Sequence, residues 1–196
     1  TWLHQNLVEH YEEMTNISKG LRDRLRKEYS VALPETVEVL SSKIDGTKKF
    51  IFRMQDGHVI ESVWMEYQHG HSVCISSQVG CRMGCKFCAS TLDGLARNLT
   101  SGEMLGQIYQ IQRTTGARVD NIVIMGSGEP LDNYDEFTRF IRMISDENGL
   151  HISRRNITIS TCGLVPRIRQ LADENYGITL ALSLHAPNDE TRKTLM

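Results

Sequence analysis

Three cysteines fall within eight positions, Cys81-x-x-x-Cys85-x-x-Cys88, the densest group of soft donors in the 196 residues. Three thiolates on one short loop can each bind one iron of a cubane cluster, leaving the fourth iron without a protein ligand. An open iron can bind an external molecule and pass it an electron. A structural zinc site wants four ligands in closed tetrahedral coordination. His71 or His185 could complete such a set, and a trio of buried core cysteines is the plainest reading of all. The spacing favours the cluster and leaves the other two open.

The residues around this loop share a pattern. Residues 73–76 read as a strand leading into it. A second strand, 122–125, is an apolar run of the kind buried on both faces. It ends in Gly126-Ser127-Gly128-Glu129-Pro130, where glycines permit close backbone approach and Glu129 can accept from an ammonium. A third, 157–161, ends in Ser160-Thr161-Cys162-Gly163, and a fourth, 178–184, in Ser183-Leu184-His185. Parallel barrels and open α/β sheets place their chemistry at these C-terminal strand ends. Taken singly, each residue has a plain explanation: glycine and proline punctuate loops, a lone glutamate is solvated, and a lone histidine is a hydrogen-bonded surface or core residue. Their shared rim makes them candidates.

The elements that must position this rim are legible from periodicity. Thr100 and Glu103 form a capping box for a helix whose Met104, Leu105, Ile108 and Ile111 share a face, and Gly116 ends it. Phe137, Phe140, Ile141 and Ile144 mark a second helix. Pro166 suits the first turn of a third, and Asn188 caps a fourth. Upstream, residues 1–30 read as helix, with Ile17, Leu21 and Leu25 recurring behind Thr15 or Asn16 as caps. Three strands around residues 37–39, 49–52 and 59–64, with turns at Asp45-Gly46 and Asp56-Gly57, read as an antiparallel meander. The expected organisation is a helical segment over 1–30, a meander over 31–70 and an α/β core over 71–196. Four strand–helix units on a parallel sheet imply a (β/α) barrel or a doubly wound sheet.

Composition sets the outer limits. Forty per cent hydrophobic and 23% charged residues describe an ordinary globular chain. No apolar run reaches membrane-spanning length and no signal-peptide series opens the chain, so a cytoplasmic protein with no membrane partner is expected. Five cysteines in a chain of this size and composition indicate metal or redox chemistry in a reducing compartment. The net charge of −2 does not announce a nucleic-acid binder. Lys19, Arg22, Arg24, Arg26 and Lys27, diluted by Asp23 and Glu28, read as a solvated helix face before an RNA contact.

The cysteine string resembles the cluster motif of the radical S-adenosylmethionine superfamily. Cys74-Ile-Ser-Ser-Gln-Val-Gly-Cys81, Arg97-Asn98-Leu99-Thr100, Met125-Gly-Ser-Gly-Glu-Pro130 and Ser183-Leu-His-Ala-Pro-Asn-Asp189 are similar to the RlmN family. That resemblance implies a radical methyltransferase acting on adenine carbon 2 of 23S rRNA, and in some lineages of tRNA. It implies a partial (β/α)6-type open barrel, a [4Fe-4S] cluster, S-adenosylmethionine and an electron donor such as flavodoxin. The sister family, Cfr, acts on carbon 8. It carries cysteine where this chain has Val79, and serine with proline-tyrosine where this chain has Ala186-Pro187-Asn188.

The resemblance further implies that Cys81, Cys85 and Cys88 hold the cluster, and that Gly128 and Glu129 bind the methionine end of the cofactor. Ser160, Ser183, Leu184 and His185 would complete the cofactor site, with Phe87 near the adenine. Glu61 would be the proton acceptor, and Cys74 the thiol that helps resolve a protein–RNA crosslink. The family's methyl-carrying cysteine would lie beyond residue 196, making this chain an N-terminal and central fragment, inactive alone. A different radical enzyme, such as Cfr or a radical activase, and a zinc-stabilised RNA-binding module are the competing readings.

Overall fold

The computed structural model describes residues 2–31 and 33–196. Strands β1 (Glu35–Ser41), β2 (Lys48–Arg53), β3 (Val59–Tyr67) and β4 (Gly70–Ile75) pair antiparallel in succession. Short loops favour this pairing: Gly57 takes the left-handed conformation that the β2–β3 turn requires (φ +89°). Beyond β4 the chain alternates strand and helix: α2 (Ser101–Thr115), β7 (Asn121–Ile124), α3 (Tyr134–Ser145), β8 (Ile157–Thr161), α4 (Val165–Glu174), β9 (Thr179–Leu182) and α5 (Asp189–Leu195). Strands β4, β7, β8 and β9 are parallel neighbours, so the meander and the parallel strands form one seven-stranded sheet. The α/β architecture with an antiparallel meander is as expected.

Alternation assigns the faces. Trp64, Val73, Ile75, Ile122, Ile124, Ile157 and Ile159 are buried on one side, against Met104, Leu105, Ile108, Phe137, Phe140 and Ile144 of α2 and α3. Truncating one such side chain to alanine costs about 2–5 kcal/mol. The cross-strand register places Val63, Cys74, Val123 and Thr158 together on the opposite face. That face is open, and it corrects the two-sided burial expected of 122–125: Val123 is half-buried and Met125 exposed. The capping box of α2 forms as expected. Thr100 Oγ1 accepts from the Glu103 amide at 3.2 Å, and Gly116 closes the helix at φ +69°.

The N-terminal thirty residues are not one helix. A 3-10 turn at Tyr11–Glu13 precedes α1 (Lys19–Glu28), whose cap is Ser18 rather than Thr15 or Asn16. The cause is local competition. The Glu13 carboxylate accepts from the backbone of Glu9 and His10 at 3.0 and 2.8 Å, bending the chain there. Val8, Tyr11 and Met14 then form a separate small core with Ile17 and Leu25 packed against it. The basic side chains of α1 lie outside that core; Arg26 pairs with Glu12 at 3.0 Å.

Two further strands, β5 (Gln78–Gly80) and β6 (Leu95–Asn98), pair across the cysteine loop as a separate ribbon. They are too short and too polar to show periodicity in the sequence.

Candidate functional site

The β5–β6 ribbon is the frame of the cysteine loop. Gly80 sits at φ +73°, and a Cβ there would lie 2.0 Å from the Gly94 carbonyl oxygen. Only glycine lets the two ends of the loop close this tightly. The Cys81 amide then donates to Gly94 at 2.9 Å. Within the loop, the Cys88 amide donates to the Cys85 carbonyl at 3.0 Å, and Thr91 Oγ1 donates to the Cys85 and Cys88 carbonyls at 3.1 and 2.9 Å. Cys81 and Cys85 are buried, Cys88 is half-buried, and all three are free thiols. Among the described residues no three His, Cys, Asp or Glu side chains converge to hold a single metal ion. A cubane makes no such demand, because each thiolate binds a different iron.

The segment after β7 is gripped by the segment after β4. Ser76 Oγ accepts from the Ser127 amide at 3.0 Å, and the Ser77 and Gln78 amides donate to the Ser127 carbonyl at 2.9 and 3.1 Å. Gly126 and Gly128 allow the approach: a Cβ on either would come within 2.6 Å of Ser76 or Gln78. This brings Glu129 inside, where it is 3% exposed. Its carboxylate accepts from the Leu131 and Cys162 amides at 3.0 and 2.8 Å. Among the described residues no ion pair joins it to Lys, Arg or His. A buried carboxylate held by two amides and lacking a cation is suited to a ligand ammonium.

The ends of β8 and β9 complete the rim. Ser160 Oγ and Ser183 Oγ are 3.1 Å apart. His185, at φ +56°, places its ring 4.7 Å from that of Phe87, which is itself half-exposed. From α5, Arg192 donates to the Ser183 carbonyl at 3.0 Å and to the carbonyls of Leu184 and Cys162. One cavity of about 140 Å³ is lined by Cys81, Cys85, Phe87, Cys88, Gly128, Glu129, Ser160, Ser183 and His185.

Three expected residues stand apart from it. Leu184 is exposed beside the rim, contributing its carbonyl to Arg192. Glu61 is on β3, ion-paired with Lys49 at 2.8 Å; its carbonyl accepts from Ser76 Oγ at 2.8 Å. Cys74 lies on the open face of the sheet, paired with Val63 and Val123. Burial pushes its thiol up from the ordinary value.

The sequence reading missed the residues that hold the site together. Gln78, Ser76 and Asn133 carry no motif that marks them as functional. Asn133 Nδ2 donates to the carbonyls of Ser77 and Leu99 at 2.9 and 2.7 Å, tying both strands of the ribbon to the start of α3. Their one sequence signal is polarity next to a strand end. Their burial depends on non-local contacts.

The donor set fits an iron–sulfur cluster. Burial raises the Cys81 and Cys85 thiols, with neighbouring thiols and Glu129 adding to the effect, so the iron-free protein holds them protonated. Metal loading must therefore displace protons, as a cation beside a thiol does. The Radical SAM superfamily matches residues 75–196, well over half of the chain. The chain belongs to the radical SAM superfamily. The superfamily uses a [4Fe-4S] cluster and S-adenosylmethionine.

The N-terminal domain of the ribosomal RNA large subunit methyltransferases matches residues 1–31. A probable dual-specificity RNA methyltransferase RlmN of Lachnoclostridium phytofermentans is 64% identical over the whole of this radical SAM chain, which covers 55% of that relative. The corresponding Clostridium novyi protein is 52% identical, with 57% of its length covered. A radical SAM methyltransferase from Sphaerobacter thermophilus has a crystal structure that superposes with a TM-score of 0.93 at 43% identity. That match covers all of this chain and 58% of the other. The chain spans about half the length of the curated relatives it matches. The RlmN resemblance carried by the motifs is borne out.

Proposed function

We propose that this chain carries the cluster- and cofactor-binding part of an RNA methyltransferase that methylates adenine carbon 2 in 23S rRNA, and in tRNA. The carrying observation is one cavity that unites the three thiols of the cysteine loop, and that of Cys162, with a buried carboxylate that has no cation partner among the described residues. The cluster with S-adenosylmethionine bound supplies one-electron cleavage of a sulfonium–carbon bond, which ordinary displacement chemistry cannot replace at an electrophilic ring carbon without a lone pair.

The chain's own residues do the positioning. Cys81, Cys85 and Cys88 hold three irons, and Glu129 accepts from the ammonium of the cofactor. Ser160 and Ser183 offer hydroxyls at the same rim. Phe87 presents an aromatic face to the adenine of the cofactor. Glu61, kept beside Lys49, accepts the proton lost from the ring carbon. Cys74 acts on a protein–RNA crosslink formed through a methyl-bearing cysteine. Burial holds the Cys74 thiol neutral, so it serves first as a proton-bearing group and becomes a nucleophile only when a base takes its proton. An electron donor such as flavodoxin and a cytoplasmic setting belong to the same reading.

Carbon 2 is favoured over carbon 8 by Val79 and Ala186, both buried, at positions where the carbon-8 family carries cysteine and serine. Mass spectrometry of adenine from RNA treated with the full-length enzyme tests this directly. The expected product is 2-methyladenine; 8-methyladenine, or none, contradicts the reading. Cys74→Ala in the same enzyme should keep its iron and accumulate an RNA adduct that survives denaturant and disappears with nuclease. Normal turnover without the adduct would leave Cys74 a packing residue.

A further inference from the structure

Gln78 has no assigned role, yet its contacts join the two halves of the site. It is wholly buried in β5, between β4 and the cysteine loop. Its Oε1 accepts from the Glu129 amide at 2.8 Å. Its Nε2 donates to Asn98 Oδ1 at 2.8 Å and to Asp132 Oδ2 at 2.9 Å. The same Asp132 oxygen accepts from Arg82 Nε at 2.8 Å, and Arg82 is the residue after Cys81. Gly128, at φ +103°, lies so close that a Cβ would meet Gln78 Cβ at 2.5 Å and its backbone nitrogen at 2.8 Å.

We propose that Gln78 is a positioning residue that fixes the Glu129 segment at a set distance from the cysteine loop, and so sets how the cofactor spans the two. The proposal rests on the reading that Glu129 holds the cofactor's ammonium. A ligand gripped at two points, by Glu129 and by the open iron, binds tightly only when both anchors are held at its own span. Here the anchors sit on loops after two different strands. Both donors of the Gln78 amide and its oxygen bridge them, in a buried place where a lost partner leaves groups unsatisfied. Asn98 extends the link to β6, the far side of the cysteine loop.

The test uses the full-length protein with its cluster reconstituted, and iron-free protein alongside. Gln78→Met removes the three polar contacts at similar volume. Expected are unchanged iron per chain and a Kd for S-adenosylmethionine raised about tenfold, with about tenfold faster hydrogen exchange at the Glu129 amide in the iron-free protein. Gln78→Glu sets two carboxylates against each other and should weaken binding similarly. Adding Asp132→Asn to it restores a donor–acceptor pair with the roles reversed, and should return Kd to within about threefold of wild type.

Glu129→Gln separates the two claims. If the wild type binds no cofactor, or Glu129→Gln binds it equally well, the site reading fails and the proposal with it. If Glu129→Gln loses binding while Gln78→Met matches wild type in both Kd and exchange, only the role of Gln78 is overturned. Should Gln78→Met misfold or lose its cluster, the double variant decides: restored affinity supports the proposal, and affinity no better than Gln78→Glu overturns it.

Discussion

The two loops that meet at the rim are built in opposite ways. The segment after β7 is held by side chains as well as backbone: Ser76 Oγ accepts from the Ser127 amide, Gln78 Oε1 accepts from the Glu129 amide, and the almost fully buried Glu129 carboxylate accepts from the Cys162 amide. The cysteine loop is held mainly by backbone bonds and Thr91, and carries exposed Phe87 and Leu92. Among the described residues no side chain hydrogen-bonds its thiols. The contrast separates two jobs. On the function proposed above, the Glu129 side is preorganised by protein contacts alone, while the cysteine loop would be completed by the irons it takes up, as ligand binding completes other metal sites.

Breaking the metal-dependent side should have the largest effect. Cys81→Ala, Cys85→Ala or Cys88→Ala each removes one of three protein ligands, and iron should fall from about four per chain to background on anaerobic reconstitution. Full iron content in any of them would contradict the assignment. Breaking the preorganised side should leave iron intact: Glu129→Gln should weaken S-adenosylmethionine binding on the order of a hundredfold, because a buried charge partner is lost. Titration calorimetry on the brown protein reads it, and loss of the cluster would show that the two sides are not separate.

A milder change sharpens the contrast at the frame. Arg97 on β6 makes a bidentate pair with Glu103, at 2.7 and 2.9 Å, and a further ion pair with Asp56 of the β2–β3 turn. Arg97→Met should lower Tm by roughly 2–4 °C at neutral pH without changing cofactor affinity more than a few-fold. The Arg97 guanidinium holds the Asp56 carboxyl well below the usual range; Glu103 is also held low, against the opposing effect of burial. A depressed carboxylate contributes stability above its unfolded pKa and loses it as pH falls through the folded value. The Tm difference should therefore shrink in acid; a difference that grew there would refute the electrostatic account. The smallest effect is expected of Cys162→Ser. Cys162 sits at the end of β8, outside the Cys81–Cys88 loop, so its replacement removes none of the three loop thiols. Iron content should match wild type.

The parallel core was legible in the sequence because its signals are local. Thr100 with Glu103, Pro166 and Asn188 mark helix starts by chemistry within one turn, and β8 appears where its apolar alternation places it. The cysteine spacing and the glycine–glutamate segment were likewise visible as strings. What escaped is non-local. The β5–β6 ribbon is three and four residues long and pairs across the cysteine loop. Gln78 and Asn133 are ordinary polar residues until that ribbon closes over them. At the N-terminus, Ile17, Leu21 and Leu25 have helical spacing. Glu13, by accepting from the backbone at Glu9 and His10, instead ended one turn before Ser18 began the next helix.

The central claim is that one rim holds a cubane cluster and the cofactor that binds its open iron. Anaerobic reconstitution of the protein, followed by electron paramagnetic resonance of the reduced sample before and after adding S-adenosylmethionine, tests it most directly. The account predicts about four irons per chain and a reduced-cluster signal that shifts when the cofactor is added. A colourless protein with one zinc, or a cluster whose signal is indifferent to the cofactor, would contradict it.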